Sequence, residues 1–296
     1  MRIKESLSRR VYLVCNYIFV GVLAVVCIYP MLHVLAISLS STHAVNAGEV
    51  NLLPVGFQLD AYKFVTQSKE FYTSFGVSVR RTLLGVVVNM TLTVLAGYPL
   101  SKSKAKFYAR NRYMWYFVIT MLFGGGLIPA YLSVRFTGLI DTIWALILPC
   151  AVPVYNVILF QNFVKALPKE ILESAYMDGA GEWTVLLRMV LPLSKPVLAT
   201  LTLFVAVGHW NAWFDGMFYM NSTTNYPMAT YLATQILNSN KNLTNMTPEQ
   251  LAALVSLNEK TMRSAQLFLS IVPILLVYPF LQRFFVKGVM VGAVKG

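Results

Sequence analysis

Charged side chains are scarce in this chain. Asp, Glu, Lys and Arg make up 12% of its 296 residues, about half the share found in an ordinary soluble domain. A soluble fold of this length needs a charged exterior to stay dispersed, so the composition excludes an ordinary cytosolic enzyme. Disorder is excluded too, because 57% of the residues are hydrophobic and the mean hydropathy is +0.61. The three cysteines, Cys15, Cys27 and Cys150, have no paired spacing, which excludes a disulfide scaffold and a zinc knuckle. Each lies in an apolar run and is expected to be a free buried thiol. His33, His43 and His209 lie far apart and form no local ligand motif. No Gly-x-x-x-x-Gly-Lys-Ser/Thr segment occurs, so the chain has no P-loop of its own for ATP.

What the sequence does have is long apolar runs. Crossing a hydrocarbon core of about 30 Å takes about 20 residues. Six runs qualify, at 11–38, 82–100, 113–134, 142–163, 197–219 and 266–285. The first follows Arg9 and Arg10, but it is too long for a secretory signal and no small-x-small site closes it, so it is read as a retained helix. The expected organisation is a cytoplasmic segment at 1–10 and an all-α, six-span membrane domain over 11–296. Its outer loops fall at about 39–75 and 220–265.

Orientation follows from the positions of Lys and Arg. With both termini inside, 16 of the 24 basic residues fall on the cytoplasmic side, among them Lys102, Lys104, Lys106, Arg110 and Arg112. The acidic residues divide five inside and seven outside, so the two sides carry +11 and +1. The net charge of +12 is therefore a topology signal, and nucleic-acid binding loses its main support. In the outer loops, an amphipathic stretch is expected at 60–71, and a helix after Thr247-Pro248-Glu249 with apolar Leu251, Leu254, Val255 and Leu257. Asn-x-Ser/Thr triplets at Asn221, Asn242 and Asn245 are read as chance matches.

One cytoplasmic loop is long, at about 164–196. Pro168 suits a helix start, Gly179 and Gly181 can end that helix and turn the chain, and a second helical stretch at 182–191 is expected to stop at Pro192 and Pro196. Such a loop can sit in a groove on a partner and pass on rigid-body motion. Small residues at Ser174, Ala175, Gly179 and Ala180 would let a partner backbone approach, and Glu173 and Asp178 can cap or pair with a cation. An amphipathic helix lying on lipid is the plainer alternative.

Polar groups inside spans are expensive and therefore informative. Span five carries His209-Trp210-Asn211-Ala212-Trp213-Phe214-Asp215. Asn211 and Asp215, four residues apart, are expected on one helix face. An aromatic face beside an amide suits a sugar, so Trp210, Asn211, Trp213 and Asp215 are the candidate substrate path, with Asn156 of span four added. An aromatic belt at the outer boundary explains Trp210, Trp213 and Tyr219 equally well. In span three Gly124, Gly125 and Gly126 interrupt a helix, either for close packing or to line a cavity. Arg80 and Arg81, at the outer start of span two, can attract an anionic substrate or snorkel to the interface.

The stretch Glu173-Ser-Ala-x-x-Asp178-Gly179-Ala180, followed by Leu191-Pro192, resembles the Glu-Ala-Ala loop of ABC importer permeases. The spacing from Glu173 to Gly179 and Pro192 agrees, while Ser174 and Met189 stand where Ala and Ile are usual. Ala96-Gly97-Tyr98-Pro99-Leu100-Ser101-Lys102, Gly125-Gly126-Leu127-Ile128-Pro129 and Gly138-Leu139-Ile140-Asp141-Thr142 are similar to the second permease subunit of complex-oligosaccharide importers, of the lipo-oligosaccharide, rhamnogalacturonan and alginate type. The resemblance implies a type I importer permease fold in the bacterial inner membrane. It further implies a related partner permease, an extracytoplasmic sugar-binding protein, and an ATPase dimer that holds ATP and magnesium and meets Glu173, Ser174, Ala175, Asp178, Gly179 and Ala180. No cofactor is expected in this chain. A permease for another small solute, or a self-contained secondary transporter, is the competing expectation, although no convincing inverted repeat is seen.

Overall fold

The computed structural model describes residues 7–238 and 259–293. The helix expected after Thr247, the triplets at Asn242 and Asn245 and most of the segment 1–10 lie outside them. Every described element is helical. The chain divides into two compact units, Met1–Lys69 with Ile236–Val272 and Glu70–Gln235 with Pro273–Gly296.

In the first unit, helix α1 (Leu7–Ser38) is apolar around its whole circumference and exposed over most of its length. A helix of that kind needs lipid or a partner around it. Cys15 and Cys27 lie on it as exposed free thiols, and Cys150 is exposed as well. This corrects the expectation of buried cysteines: where the surroundings are apolar, apolar side chains need no protein interior. The following loop folds on itself. Ser41 caps α2 (Thr42–Ala47), which ends at Gly48 with φ +72°, and Ala36, Ala44, Val45 and Val50 form a small core. The Ser38 hydroxyl meets the Tyr62 hydroxyl of α3 (Asp60–Gln67) at 2.7 Å. The stretch expected at 60–71 is thus cut at extended Ser68.

The second unit is organised around α4 (Lys69–Ser101). Its buried face carries Ser74, Ser78, Arg81, Gly85, Asn89, Thr93 and Gly97, at spacings of three and four, whereas Leu83, Val87 and Leu95 are exposed. A helix with its polar face inward and its apolar face outward is suited to lipid, because polar groups must then find partners inside the protein. Ser78 accepts the backbone N–H of Met228 at 2.7 Å, and Asn89 donates to the Cys150 carbonyl at 3.1 Å. A Cβ on Gly85 would collide with the buried His209 ring, and one on Gly97 would lie 2.7 Å from Phe160. Ala is the better helix former by about 1 kcal/mol, yet Gly85→Ala is expected to lower the thermal midpoint of the detergent-solubilised chain. An unchanged midpoint would show that α4 and His209 are not in close contact.

Three expected spans are broken. Span three is α5 (Arg110–Leu122) and α6 (Leu127–Phe136), bent by 116° across 123–126; Gly126 has φ +85°, a conformation suited to glycine. Span four opens with two 3₁₀ turns, Ile143–Leu146 and Leu148–Cys150, before α7 (Val154–Ala166), with a 50° bend where Pro149 and Pro153 interrupt hydrogen bonding. Helix α8 (Lys169–Met177) then precedes α9 (Glu182–Leu193), which contains a π turn over Leu186–Val190. Contrary to the expectation, Pro192 does not stop α9, because it falls in the first turn of the segment that follows the π turn, where its missing N–H is tolerated. The chain turns by 80° at Ser194 into α10 (Lys195–Asn211).

Span five breaks again at Ala212–Trp213 before α11 (Phe214–Tyr219). Helix α12 (Met228–Asn238) follows, and α13 (Glu259–Ala293) contains the sixth expected run. By length and composition two unbroken helices, Ser8–Ser38 and Lys69–Ser101, qualify as crossings among the described residues, or up to five if each bent pair counts as one.

Candidate functional site: the α8 loop and a broken span

Helix α8 starts after Pro168 and ends in a left-handed glycine turn. The N–H of Asp178 bonds the Ser174 carbonyl, that of Ala180 bonds the Ala175 carbonyl, and Gly179 has φ +78°. Glu173, Ser174, Asp178 and Gly179 are exposed and Ala180 is half-buried. Ala175 is 6% exposed and belongs to one buried apolar cluster with Phe160, Val164, Val185 and Leu201. Its side chain therefore anchors α8 to its own chain. Period 3.6 accounts for this: Leu172, Ala175 and Tyr176 form the inward stripe. The outward stripe contains a residue that the motif did not single out, Met177, at 88% exposure. An exposed large apolar side chain one turn from Glu173 was legible from the same periodicity.

The far side of the glycine corner is tied to α4. Glu182 accepts hydrogen bonds through Oε2 from Lys102 Nζ at 2.7 Å, Tyr98 at 2.5 Å and Tyr176 at 2.9 Å. Burial alone would raise the Glu182 carboxyl, but these three donors outweigh it and hold it below the ordinary carboxylate range.

Further toward the N-terminal half of α4, Arg81 is 2% exposed. It is ion-paired to Asp215, donates to the Ala212 carbonyl at 3.0 Å, and reaches the Leu146 carbonyl at 3.5 Å. The break in span five contains neither Gly nor Pro; its free carbonyls are taken by Arg81 and, for Trp213, by the Thr230 hydroxyl at 2.8 Å. Broken backbone at membrane depth is tolerated where such partners exist. Two expectations are corrected here. Arg81 does not snorkel, because its guanidinium has three partners inside. Asn211 and Asp215 do not share a continuous helix face, because the helix stops between them.

The candidate path residues are placed differently from one another. Asn211 is exposed, Trp213 is 43% exposed and stands edge-on to Phe214, and Trp210 is half-buried against Phe75 at 5.7 Å between ring centroids. Asn156 is buried, at 5% exposure. Beyond the C-terminal end of α11, Asp141 accepts from the Asn225 side chain and from the N–H groups of Asn221 and Ser222, which overcome burial and lower its carboxyl. Its φ of +62° is the one positive value outside glycine among the described residues.

Residues 94–291 match the family described as the binding-protein-dependent transport system inner membrane component. The protein LplC of Bacillus subtilis strain 168 is 40% identical over 287 residues, covering 97% of this chain and 96% of that one. The polygalacturonan/rhamnogalacturonan transport system permease protein YtcP of the same organism is 36% identical over 290 residues, covering 98% and 100%. Among solved structures, a chain of a bacterial ABC transporter involved in the import of the acidic polysaccharide alginate is 32% identical, with a TM-score of 0.86 over 96% of this chain and 99% of that one. The bent spans, the α8 loop and the inward polar face of α4 are accordingly parts of an importer permease: the chain belongs to the family of inner-membrane components of binding-protein-dependent transport systems.

Proposed function

We propose that this chain is one of two related permease subunits of an ABC importer that carries an acidic, uronate-type oligosaccharide from an extracytoplasmic binding protein into the cytoplasm. The observation that carries the reading is full-length likeness to two transporters whose names specify acidic sugar polymers, YtcP and the alginate importer. The electrostatics of the broken span support it. A lone Asp215 would repel a uronate, but its ion pair with Arg81 cancels that charge. In this reading six spans cross the bacterial inner membrane with both termini inside. Helix α8 is the coupling helix and presents Glu173, Ser174, Met177 and Asp178 to an ATPase dimer, which binds ATP and magnesium. Asn211 and Trp213 line the path, with Trp210 and Asn156 supporting them. A sliding sugar needs hydroxyl partners, since an unpaired buried hydroxyl costs roughly 1–3 kcal/mol.

The test is reconstitution of the complex with its binding protein in liposomes. ATP-driven uptake of oligogalacturonate or oligoalginate is expected, with much less of a neutral maltodextrin. Asn211→Ala and Trp213→Ala are each expected to lower uptake at saturating binding protein without changing its sugar affinity. Unchanged uptake in both would remove these residues from the path. Equal uptake of the neutral sugar would overturn the acidic specificity, and transport by the chain alone, without an ATPase, would make it a self-contained carrier.

A further inference from the structure

The contacts at the inner end of α4 form more than a surface ion pair. One carboxylate oxygen, Glu182 Oε2, is the meeting point of three elements: Tyr98 comes from the last turn of α4 and Lys102 follows directly after that helix, Tyr176 comes from α8, and Glu182 itself opens α9. The Lys102 ammonium is also 2.7 Å from the Tyr98 hydroxyl and 2.6 Å from that of Tyr176, and it lies 4.1 Å above the Tyr98 ring. Lys106 covers the Tyr176 ring at 4.3 Å. The Lys102 side chain is 14% exposed, so the pair is shielded on its cationic side. Beneath it, Tyr98, Ala175, Val185 and Leu186 belong to one apolar cluster.

The covalent link between α8 and α9 is short and flanked by two glycines, Gly179 and Gly181, with Ala180 between them. A Cβ on Gly179 or Gly181 would meet nothing within 4 Å, and glycine resists backbone rotation least of all residues. That corner therefore joins the two helices through glycine-flanked backbone, with no side chain of Gly179 or Gly181 packed across it. The polar knot bypasses it. A cleft of about 320 Å³, lined in part by Leu95, Phe107, Trp183 and Leu186, adjoins the knot.

We infer that Lys102, Glu182, Tyr98 and Tyr176 form a latch that couples movement of α8 directly to span two. They are positioning residues for transport and touch neither substrate nor ATP. The inference rests on α8 being the ATPase-facing helix. Through α4 the latch reaches the Arg81 contact that holds the break in span five, so one helix joins the coupling loop to the candidate path.

The experiment measures sugar taken up per ATP hydrolysed by the full transporter in liposomes. Glu182→Gln and Lys102→Met are each expected to lower that ratio at least about fivefold, while the ATPase still co-purifies and the thermal midpoint is held. The reciprocal exchange, Lys102→Glu with Glu182→Lys, is expected to recover at least half of the wild-type ratio. Tyr176→Phe keeps the ring packing and is expected to lower the ratio too; it provides the reading if either charge variant fails to assemble. A wild-type ratio in the single variants overturns the latch, as does a loss that the exchange does not recover. Absence of ATP-driven uptake in the wild-type complex would instead overturn the importer reading.

Discussion

Arg81→Met is expected to destabilise the chain by about 3–5 kcal/mol, the usual consequence of removing one partner of a buried ion pair. Asp215 would be left without its cation, and the Ala212 and Leu146 carbonyls without a donor. Each orphaned carbonyl adds roughly 1–3 kcal/mol if nothing replaces Arg81. Thermal unfolding of the detergent-solubilised complex measures the loss, together with the yield of folded protein. Asp215→Asn is expected to be milder, because an amide oxygen still accepts from the guanidinium. The double variant Arg81→Met with Asp215→Leu is expected to recover only part of the loss, since it removes the stranded charge but not the orphaned carbonyls. A wild-type midpoint in Arg81→Met would mean that other groups hold the break in span five.

That break also marks the limit of what the sequence discloses. The interruptions at Gly124–Gly126 and at Pro149 and Pro153 were legible, because those residue types act on their own backbone. Ala212–Trp213 has no such residue. Its two carbonyls are free only because Arg81 and Thr230, remote in sequence, are there to bond them. The inward face of α4 was legible in principle, as Ser74, Ser78, Arg81, Gly85, Asn89, Thr93 and Gly97 recur every three or four residues. An average over hydropathy conceals it, since the intervening Leu and Val dominate the sum.

The loop around α8 shows the same division. The spacing from Glu173 to Gly179 and Pro192 disclosed the element, and the left-handed turn at Gly179 explains why glycine stands there. The motif did not disclose orientation: Ala175 belongs to its letters yet faces inward, and Met177 lies outside them yet faces out. The partner of Glu182 was not legible either. Lys102 lies in another loop, and any of several basic residues nearby would have served a reading by charge alone.

Met177→Glu is expected to disconnect the transporter from its ATPase while leaving the chain folded. The residue is 88% exposed here, so its replacement removes almost nothing from the interior of the permease. Burying a Met side chain is worth about 1.5–3 kcal/mol, and a carboxylate forced into the same socket adds a desolvation penalty beside Glu173 and Glu170. Affinity for the ATPase should then fall by at least about tenfold, each factor of ten corresponding to about 1.4 kcal/mol. The measurement is co-purification of the ATPase, with binding-protein-stimulated ATP hydrolysis as a second readout; both are expected to drop at an unchanged thermal midpoint of the permease. Ala175→Leu supplies the contrast. It overfills the packing among Phe160, Val164 and Val185, at a typical penalty of about 1–3 kcal/mol, so it should lower the midpoint of the permease itself. At Gly179, Val should be strained by the positive φ and Asn tolerated, since Asn enters the left-handed region far more readily. If Met177→Glu retains the ATPase and full stimulated hydrolysis, the outward face of α8 is not the contact, and the partner must engage this chain elsewhere.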